Sequence, residues 1–297
     1  MWLGARRPGR PRILYRSAGG LILWAGLVEQ QSHITVRGLT HVYGVDGTAL
    51  TALAGVDLEV RRGEFVSVIG PSGGGKTTLL KAIGGLFQPM SGTVTIDGES
   101  PEESRRRKRI GFVFQEPALL PWRTVAQNVE LPLEVNRGKA PLDSGAAAQL
   151  IKTVALDEFR EYYPHQLSGG MRQRVAFARA LVTGPDVLLM DEPLGSLDEI
   201  TRTTMRYELL KVWEAFPKTI ILVTHSIVEA VMMSDRVAVL SSRPGRVVGQ
   251  VPIDLPRPRQ EALERAPEFL KLADRVKELL ALGTKRAATV GGAHAGV

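Results

Sequence analysis

Apolar and polar residues alternate between about residues 32 and 100. The segments "HITVRGLTHVY", "VDLEV" and "GTVTIDG" show this alternation, and turns that contain glycine separate them. A repeat of two places successive side chains on opposite faces of a strand. The pattern therefore predicts β-strands, which we expect to form an N-terminal antiparallel β subdomain.

Four segments are instead almost continuously apolar. They are "FVSVIG" (65–70), "IGFVFQ" (110–115), "VLLMDE" (187–192) and "TIILVTH" (219–225). Such runs are typical of parallel strands that are covered on both faces. Because functional groups in such sheets gather at the carboxyl ends of the strands, the residues that end these runs are the first candidates for chemistry.

Helical spacing appears in the middle of the chain. In "AAAQLIKTVAL", Ala147, Leu150, Ile151 and Val154 repeat at the helical period, and no strand pattern lies nearby. We therefore expect an inserted helical subdomain at 116–170.

The end of the chain predicts a strand pair and one more helix. "RVAVLSSRPGRVVGQVPI" has the pattern of two closing strands, and "PEFLKLADRVKELLAL" (267–282) that of an amphipathic helix. The glycine- and alanine-rich residues beyond it predict a frayed tail.

The composition is that of a globular protein with a basic N-terminus. Of 297 residues, 44% are hydrophobic and 23% are charged, and cysteine is absent, which excludes a disulfide scaffold and thiol chemistry. Five arginines precede the first acidic residue and supply five of the seven net positive charges. Residues 28–297 therefore have a net charge of only +2. We interpret "RRRKR" (105–109) as a solvated edge, so nucleic acid is a disfavoured partner.

Residues 1–31 are predicted to be an extension outside the folded body. Arginines followed by "GGLILWAGLV" mimic a secretory signal, but no small-x-small cleavage site follows. The apolar run is also far shorter than the roughly 20 residues of a spanning helix. We expect residues 1–27 to be disordered, a minor surface anchor or the result of an upstream start, with a native start near Val28.

The strongest chemical motif is "GPSGGGKTT" at 70–78. Gly70, Gly75, Lys76 and Thr77 satisfy GxxxxGK[ST] between a predicted strand and a predicted helix. The glycines let backbone N–H groups surround phosphates, Lys76 supplies a cation, and the Thr77 hydroxyl can hold Mg²⁺. This context favours a nucleotide site over a chance glycine-rich turn.

Two carboxylates end the apolar strand at 187–192. A carboxylate beside a phosphate loop, here Asp191, can bind Mg²⁺, and a second one, Glu192, can polarise a water molecule. Taken alone, the pair is more typical of a solvated strand end. Because the chain also has a phosphate loop, the interpretation as a Mg²⁺- and water-binding pair is favoured instead.

A second phosphate-binding pattern occurs in "LSGGMRQR" (167–174). Small residues precede a helical pattern, and the first turn of a helix offers unpaired N–H groups to an anion.

Six motifs occur together in a fixed order: "GPSGGGKTT", Gln115, "LSGGMRQR", "VLLMDEP", "GSLD" and "VTH". In the order and spacing of these motifs, residues 32–250 closely resemble the ATP-binding subunit of ABC transporters. The resemblance implies an α/β fold, with a P-loop NTPase core of mostly parallel sheet flanked by helices. The expected domains are the extension at 1–31, the ATP-binding domain at 32–255, and the C-terminal helix and tail at 256–297.

The resemblance implies a role for each site residue. Gln115 joins the Mg²⁺ shell with Thr77 and Asp191 and senses the γ-phosphate, Glu192 is the general base, and His225 contacts the γ-phosphate. Residue by residue, the implied nucleotide contacts are Tyr43 (stacked on adenine), Gly70, Pro71, Ser72, Gly73, Gly74, Gly75, Lys76, Thr77, Thr78, Ser168, Gly169, Gly170 and Asp198. Read alone, Tyr43 is more typical of an ordinary strand aromatic and His225 of a satisfied strand-end histidine.

The resemblance also implies why one chain has two phosphate-binding motifs. Ser168–Gly170 faces the phosphate loop of a second copy in a head-to-tail dimer, and Asp198 lies at that interface. No NKxD-type guanine motif is present, so ATP is preferred over GTP. The chain departs from the family pattern in small ways, at Gly74, Thr77, Gly195–Ser196 and Ser226.

The segments "ALLPWRTVAQNVELPL" and "SSRPGRVV" resemble the nitrate, sulfonate and taurine importer branch. This implies an ATP hydrolase that energises a bacterial importer, with permease subunits and a periplasmic or surface solute-binding protein, peripheral on the cytoplasmic face of the inner membrane. The alternatives are a soluble ABC-type ATPase acting on nucleic acid or ribosomes, and the ATPase of an exporter.

Overall fold

A computed structural model describes residues 32–45, 48–136, 145–215 and 218–291. The predictions for residues 1–31 and for the last residues of the tail, 292–297, lie outside these ranges. Between them, the described ranges form two β-sheets and eight α-helices.

The alternating segments form a three-stranded antiparallel sheet of order β2-β1-β4. Its apolar positions, such as Ile34 and Val36, are fully buried and pack against the first helix of the core. The antiparallel subdomain is thus present as predicted, and its strands are β1 (Ser32–Val45), β2 (Thr48–Arg61) and β4 (Ser91–Ile96).

The continuously apolar segments form four adjacent strands, β5, β6, β7 and β3, of a six-stranded sheet of order β5-β6-β7-β3-β8-β9. Every neighbouring pair is parallel except β8 and β9, which are antiparallel. Because β6, β7 and β3 are adjacent and parallel, the loops after them meet at one edge. The strands are β3 (Phe65–Ile69), β5 (Ile110–Val113), β6 (Val187–Asp191), β7 (Thr219–Val223), β8 (Arg236–Leu240) and β9 (Val247–Pro252).

The helices cover this sheet and build the inserted subdomain. Between residues 116 and 170 the described residues contain helices and no strand, as the sequence predicts. The α-helices are α1 (Lys76–Ile83), α2 (Pro101–Arg106), α3 (Val125–Glu134), α4 (Ala146–Thr153), α5 (Gly169–Leu181), α6 (Glu199–Ala215), α7 (Ile227–Met233) and α8 (Pro267–Gly291).

A buried asparagine fixes the chain that leads into the helical subdomain. The Asn128 side chain donates to the carbonyls of Leu120, Arg123 and Thr124 at 3.0–3.1 Å, and Thr124 caps α3 in a reciprocal pair with Gln127. These side-chain bonds join the turn at residues 120–124 to the first turn of α3.

The C-terminal helix α8 packs on α7, β8 and β9. Phe269 and Val276 are buried in this contact. The helix begins at Pro267 as predicted and continues to Gly291, beyond the predicted end at 282. Gly283 lies close enough to Ser241 that a Cβ on it would be 3.2 Å from the Ser241 Cα, so packing continues past the amphipathic segment.

The basic cluster at 105–109 forms local ion pairs. Arg107 bonds to Glu99 and Glu103, and Arg109 bridges Asp97 and Asp186. These carboxylates offset much of the positive charge that could attract nucleic acid.

Among the described residues, none of the helices has the length and apolar character needed to cross a membrane.

Candidate nucleotide site

The phosphate loop connects the end of β3 to the start of α1. Gly75 has a φ of 82°, and a Cβ there would lie 2.5 Å from the Leu53 Cδ2, so only glycine fits. Lys76 is 5% exposed, and its Nζ donates to the carbonyls of Gly70 at 2.9 Å and Pro71 at 3.0 Å. The loop backbone therefore holds the ammonium group at the mouth of the loop.

Burial lowers the pKa of Lys76, while the carboxylates of Glu192 and Asp191 act in the opposite direction. A cation that is poorly solvated has much to gain from an anionic ligand.

Asp191, at the end of β6, accepts a hydrogen bond from the Thr77 Oγ1 at 3.0 Å. Burial raises the pKa of Asp191, against the opposing effect of this hydrogen bond. A hydroxyl and a carboxylate beside a phosphate site are the oxygen ligands that Mg²⁺ takes together with phosphate oxygens. These residues fit the expected ion, although no group of three or more acidic, His or Cys residues for a protein-only metal site occurs among the described residues.

Glu192 and His225 meet across the ends of β6 and β7. The Glu192 Oε1 lies 2.5 Å from the His225 Nε2, and the Glu192 N–H donates to the Val223 carbonyl at 2.9 Å. Glu192 has a φ of 46°, a left-handed conformation that is uncommon for glutamate. Such strain is typical of functional positions, where the surrounding structure fixes a side chain in one direction.

Lys76, Thr77, Glu192 and His225 line one cleft of about 260 Å³. The antiparallel subdomain contributes Tyr43, whose hydroxyl lies 3.3 Å from the Thr78 Oγ1. The full lining is Tyr43, Leu50, Ala52, Ser72, Gly73, Gly74, Gly75, Lys76, Thr77, Thr78, Glu192, His225 and Arg243. The structure thus brings together ten of the residues predicted from the sequence.

Gln115, Gly70, Pro71 and Asp191 do not line the cleft. Gly70 and Pro71 lie behind it and bind Lys76, and Asp191 reaches it through Thr77. Gln115 is exposed in the loop after β5, and a Cβ on Gly195 would lie 3.4 Å from its Nε2.

The second phosphate-binding motif lies outside the cleft of its own chain. Ser168 is exposed and caps α5, where its hydroxyl accepts from the Met171 N–H at 3.2 Å. A Cβ on Gly170 would lie 2.9 Å from the Thr201 Cγ2, so the start of α5 packs closely against the start of α6.

Asp198 lies at that same start of α6 and is exposed. Its Oδ1 accepts from the Thr201 N–H at 3.0 Å, and this hydrogen bond lowers the pKa of Asp198. The start of α5 and Asp198 therefore belong to one surface region, of which no residue is among the cleft-lining residues of the described chain.

Arg243 lines the cleft but was not among the residues predicted from the sequence. Its segment, "SSRPGR", shows turn-forming proline and glycine, and that signal does not indicate which surface the turn contacts.

A phosphate loop, a hydroxyl–carboxylate pair that fits Mg²⁺, and a carboxylate against a histidine are the features of a P-loop ATPase. Residues 53–195 match the family model described as ABC transporter. The nitrate import ATP-binding protein of Synechocystis is 40% identical over 257 residues, which cover 84% of this chain and 95% of that protein. The chain belongs to the ATP-hydrolysing, ATP-binding subunits of ABC transporters.

Two further relatives bear on the comparison. The taurine import ATP-binding protein of Rhizobium johnstonii is 41% identical over 239 residues, which cover 79% of this chain and 90% of that protein. A solved structure of a dimeric ATP-binding cassette, in a post-hydrolysis state with ADP and Pi, superposes with a TM-score of 0.65 at 36% identity and covers 75% of this chain and 99% of that chain.

Proposed function

We propose that this chain is the ATPase subunit of an importer for a small oxyanion-type solute such as nitrate, taurine or another sulfonate. The observation that carries the proposal is that Lys76, Glu192 and His225 line one cleft. The importer class rests on the relatives, which are import proteins for nitrate and taurine.

Each cleft residue has a chemical role in this proposal. Tyr43 stacks on adenine, Lys76 binds the β- and γ-phosphates, and His225 contacts the γ-phosphate. Glu192 accepts a proton from the attacking water, and the 2.5 Å contact with His225 orients its carboxylate toward the cleft.

Thr77, Asp191 and Gln115 would hold Mg²⁺. The ion, when bound, neutralises charge on the phosphates. In this chain the Thr77 hydroxyl and the Asp191 carboxylate are already adjacent, whereas Gln115 approaches from the loop after β5.

The active unit is a head-to-tail dimer of two copies. Ser168, Gly169 and Gly170 of one copy present the N-terminus of α5 to nucleotide bound at Lys76 of the other, and Asp198 lies at the same interface. The exposure of Ser168 outside its own cleft supports this arrangement, as does the dimeric state of the related cassette. A helix N-terminus opposite the lysine adds N–H donors where the negative charge is greatest.

The dimer acts on transmembrane permease subunits at the cytoplasmic face of the inner membrane. Large apolar side chains near Gln115 are exposed, notably Phe114 (41%) and Trp122 (70%). Exposed apolar side chains on either side of the predicted γ-phosphate sensor in the sequence support a protein partner for this segment. A periplasmic or surface solute-binding protein delivers the solute.

Purification of the tagged chain from its own cells in mild detergent tests this function. We expect a multi-spanning membrane protein to co-purify, and the ATPase activity of the complex in liposomes to rise when the solute-binding protein and its solute are present. ATPase activity that RNA or DNA stimulates, without any membrane partner, would contradict the importer. The matched control is Lys76→Ala, which should bind the same partner without turnover.

A further inference from the structure

We propose that Arg243 is a second cation for the polyphosphate of the bound nucleotide, beside Lys76. This inference rests on the proposed function, because it places a new contact in the same cleft. It starts from the segment between β8 and β9, which we call the Ser241–Arg246 loop.

The Ser241–Arg246 loop lies directly on the phosphate loop. A Cβ on Gly74 would lie 2.7 Å from the Ser241 carbonyl oxygen, and one on Gly245 would lie 2.2 Å from the Gly74 carbonyl oxygen. Real side chains do not tolerate distances below 3.0 Å. Glycine at both positions therefore permits a contact between two backbones.

Hydrogen bonds fix the backbone of this loop from two directions. Gly245 pairs with β2, through its N–H to the Ala52 carbonyl at 2.9 Å and its carbonyl to the Ala54 N–H at 3.1 Å. On the other side, the Ser242 N–H donates to the Gly283 carbonyl of α8 at 3.3 Å.

The Ser241 side chain closes the loop internally. Its hydroxyl bonds to the Ser242 and Pro244 carbonyls at 2.9 and 3.0 Å and accepts from the Arg246 N–H at 3.0 Å. A loop held in this way positions a side chain at its tip before any ligand binds.

The side chain at the tip is Arg243, and it is directed at the phosphate loop. Its Nη2 would lie 2.9 Å from a Cβ on Gly73, which has a φ of 74°. The Nε donates to the Gly73 carbonyl over a long 3.4 Å, and within the described ranges no carboxylate pairs with the guanidinium. The donors on Nη1 and Nη2 thus remain for another acceptor.

The charge of the cleft indicates which acceptor the Arg243 guanidinium would bind. Its lining has two permanent cations, Lys76 and Arg243, and one carboxylate, Glu192, which already contacts His225. A planar guanidinium with free parallel donors matches the geometry of phosphate oxygens. A nucleoside di- or triphosphate is the anion that this cleft is proposed to bind, so the phosphate chain is the acceptor that Arg243 fits.

The test measures the affinities of the full chain for MgATP and MgADP by isothermal titration calorimetry. Loss of one charge-assisted hydrogen bond in a partly exposed site should weaken both affinities about 10-fold in Arg243→Gln. Arg243→Lys keeps the positive charge but lacks the paired N–H donors of the guanidinium, so its affinity for both nucleotides should fall about 3-fold. Arg246→Gln removes an exposed arginine of the same loop that does not line the cleft, and it should bind within about 2-fold of wild type.

Salt dependence separates phosphate contact from a structural role. Added KCl should weaken nucleotide binding less steeply in Arg243→Gln than in the wild type, because one screened ionic contact is gone. The inference is overturned if Arg243→Gln binds both nucleotides as tightly as wild type, or if it binds more weakly with an unchanged salt dependence. A wild type that itself neither binds nor hydrolyses ATP would instead overturn the proposed function.

Discussion

The substitution Gly245→Ala tests how closely the Ser241–Arg246 loop and the phosphate loop depend on each other. The new Cβ would lie 2.2 Å from the Gly74 carbonyl oxygen and 3.2 Å from the Ala52 carbonyl oxygen. To reach even 3.0 Å from Gly74, the two backbones must separate by about 0.8 Å, because neither atom is the end of a flexible side chain.

That separation strains the two hydrogen bonds that join Gly245 to β2, at 2.9 and 3.1 Å. Each such bond stabilises the fold by about 1 kcal/mol, so we expect Gly245→Ala to lower the free energy of unfolding by about 2 kcal/mol. For a domain of this size, that loss corresponds to a fall of about 4–8 °C in melting temperature. Because the phosphate loop moves as well, MgATP affinity should fall about 10-fold or more.

Scanning calorimetry and titration calorimetry on the same preparation measure both effects. Gly44→Ala is the control, since nothing lies within 4 Å of a Cβ there, and it should melt within about 2 °C of wild type. A Gly245→Ala protein with wild-type melting and wild-type MgATP affinity would refute the close contact between the loops.

Two further predictions concern the carboxylates at the end of β6, Asp191 and Glu192. Glu192→Gln should lower kcat by about 10²–10⁴-fold while ATP binding persists, because the amide cannot accept the proton. ATP should then hold the variant as a dimer in size-exclusion chromatography. A variant that stays monomeric in saturating MgATP would argue against Glu192 as the base. Asp191→Asn should raise the melting temperature of the nucleotide-free protein at pH 7. Burial raises the pKa of Asp191 in the folded state, so the wild type loses stability as the pH rises from 3.8 through that raised pKa. The difference between the two proteins should therefore narrow as the pH falls toward 3.8, and a difference that is constant with pH would contradict a buried carboxylate at this position.

The parts of the site that follow from local sequence were predictable. The run "FVSVI" before "GPSGGGKTT" specifies a strand, a loop and a helix, and Asp191 and Glu192 end a second apolar run. Parallel strands bring their carboxyl ends to one edge, and Lys76, Glu192 and His225 line one cleft there. The local pattern did not single out His225, whose role only the resemblance implied.

Other parts depend on contacts between segments that are distant in sequence. Arg243 reaches the cleft only because Gly74 and Gly245 allow two backbones to touch, and no local pattern in "SSRPGR" specifies that contact. The extension of α8 past residue 282 similarly reflects Gly283 against Ser241 rather than the amphipathic repeat. The roles that the resemblance implies for the site residues are all still predictions. Those of Gln115, Ser168 and Asp198 depend in addition on bound nucleotide or on a second copy of the chain.

The central claim is that each nucleotide lies between Lys76 of one copy and Ser168 of another, and mixing two inactive variants tests it most directly. Lys76→Ala and Ser168→Arg chains should each be inactive as homodimers, whereas a mixed dimer has one intact site, formed by Lys76 of the second variant and Ser168 of the first. With random pairing, about a quarter of all sites are restored, so the mixture should recover up to about a quarter of wild-type ATPase activity. Two different affinity tags verify that mixed dimers form, and a verified mixture with no more activity than either variant alone would contradict the shared site.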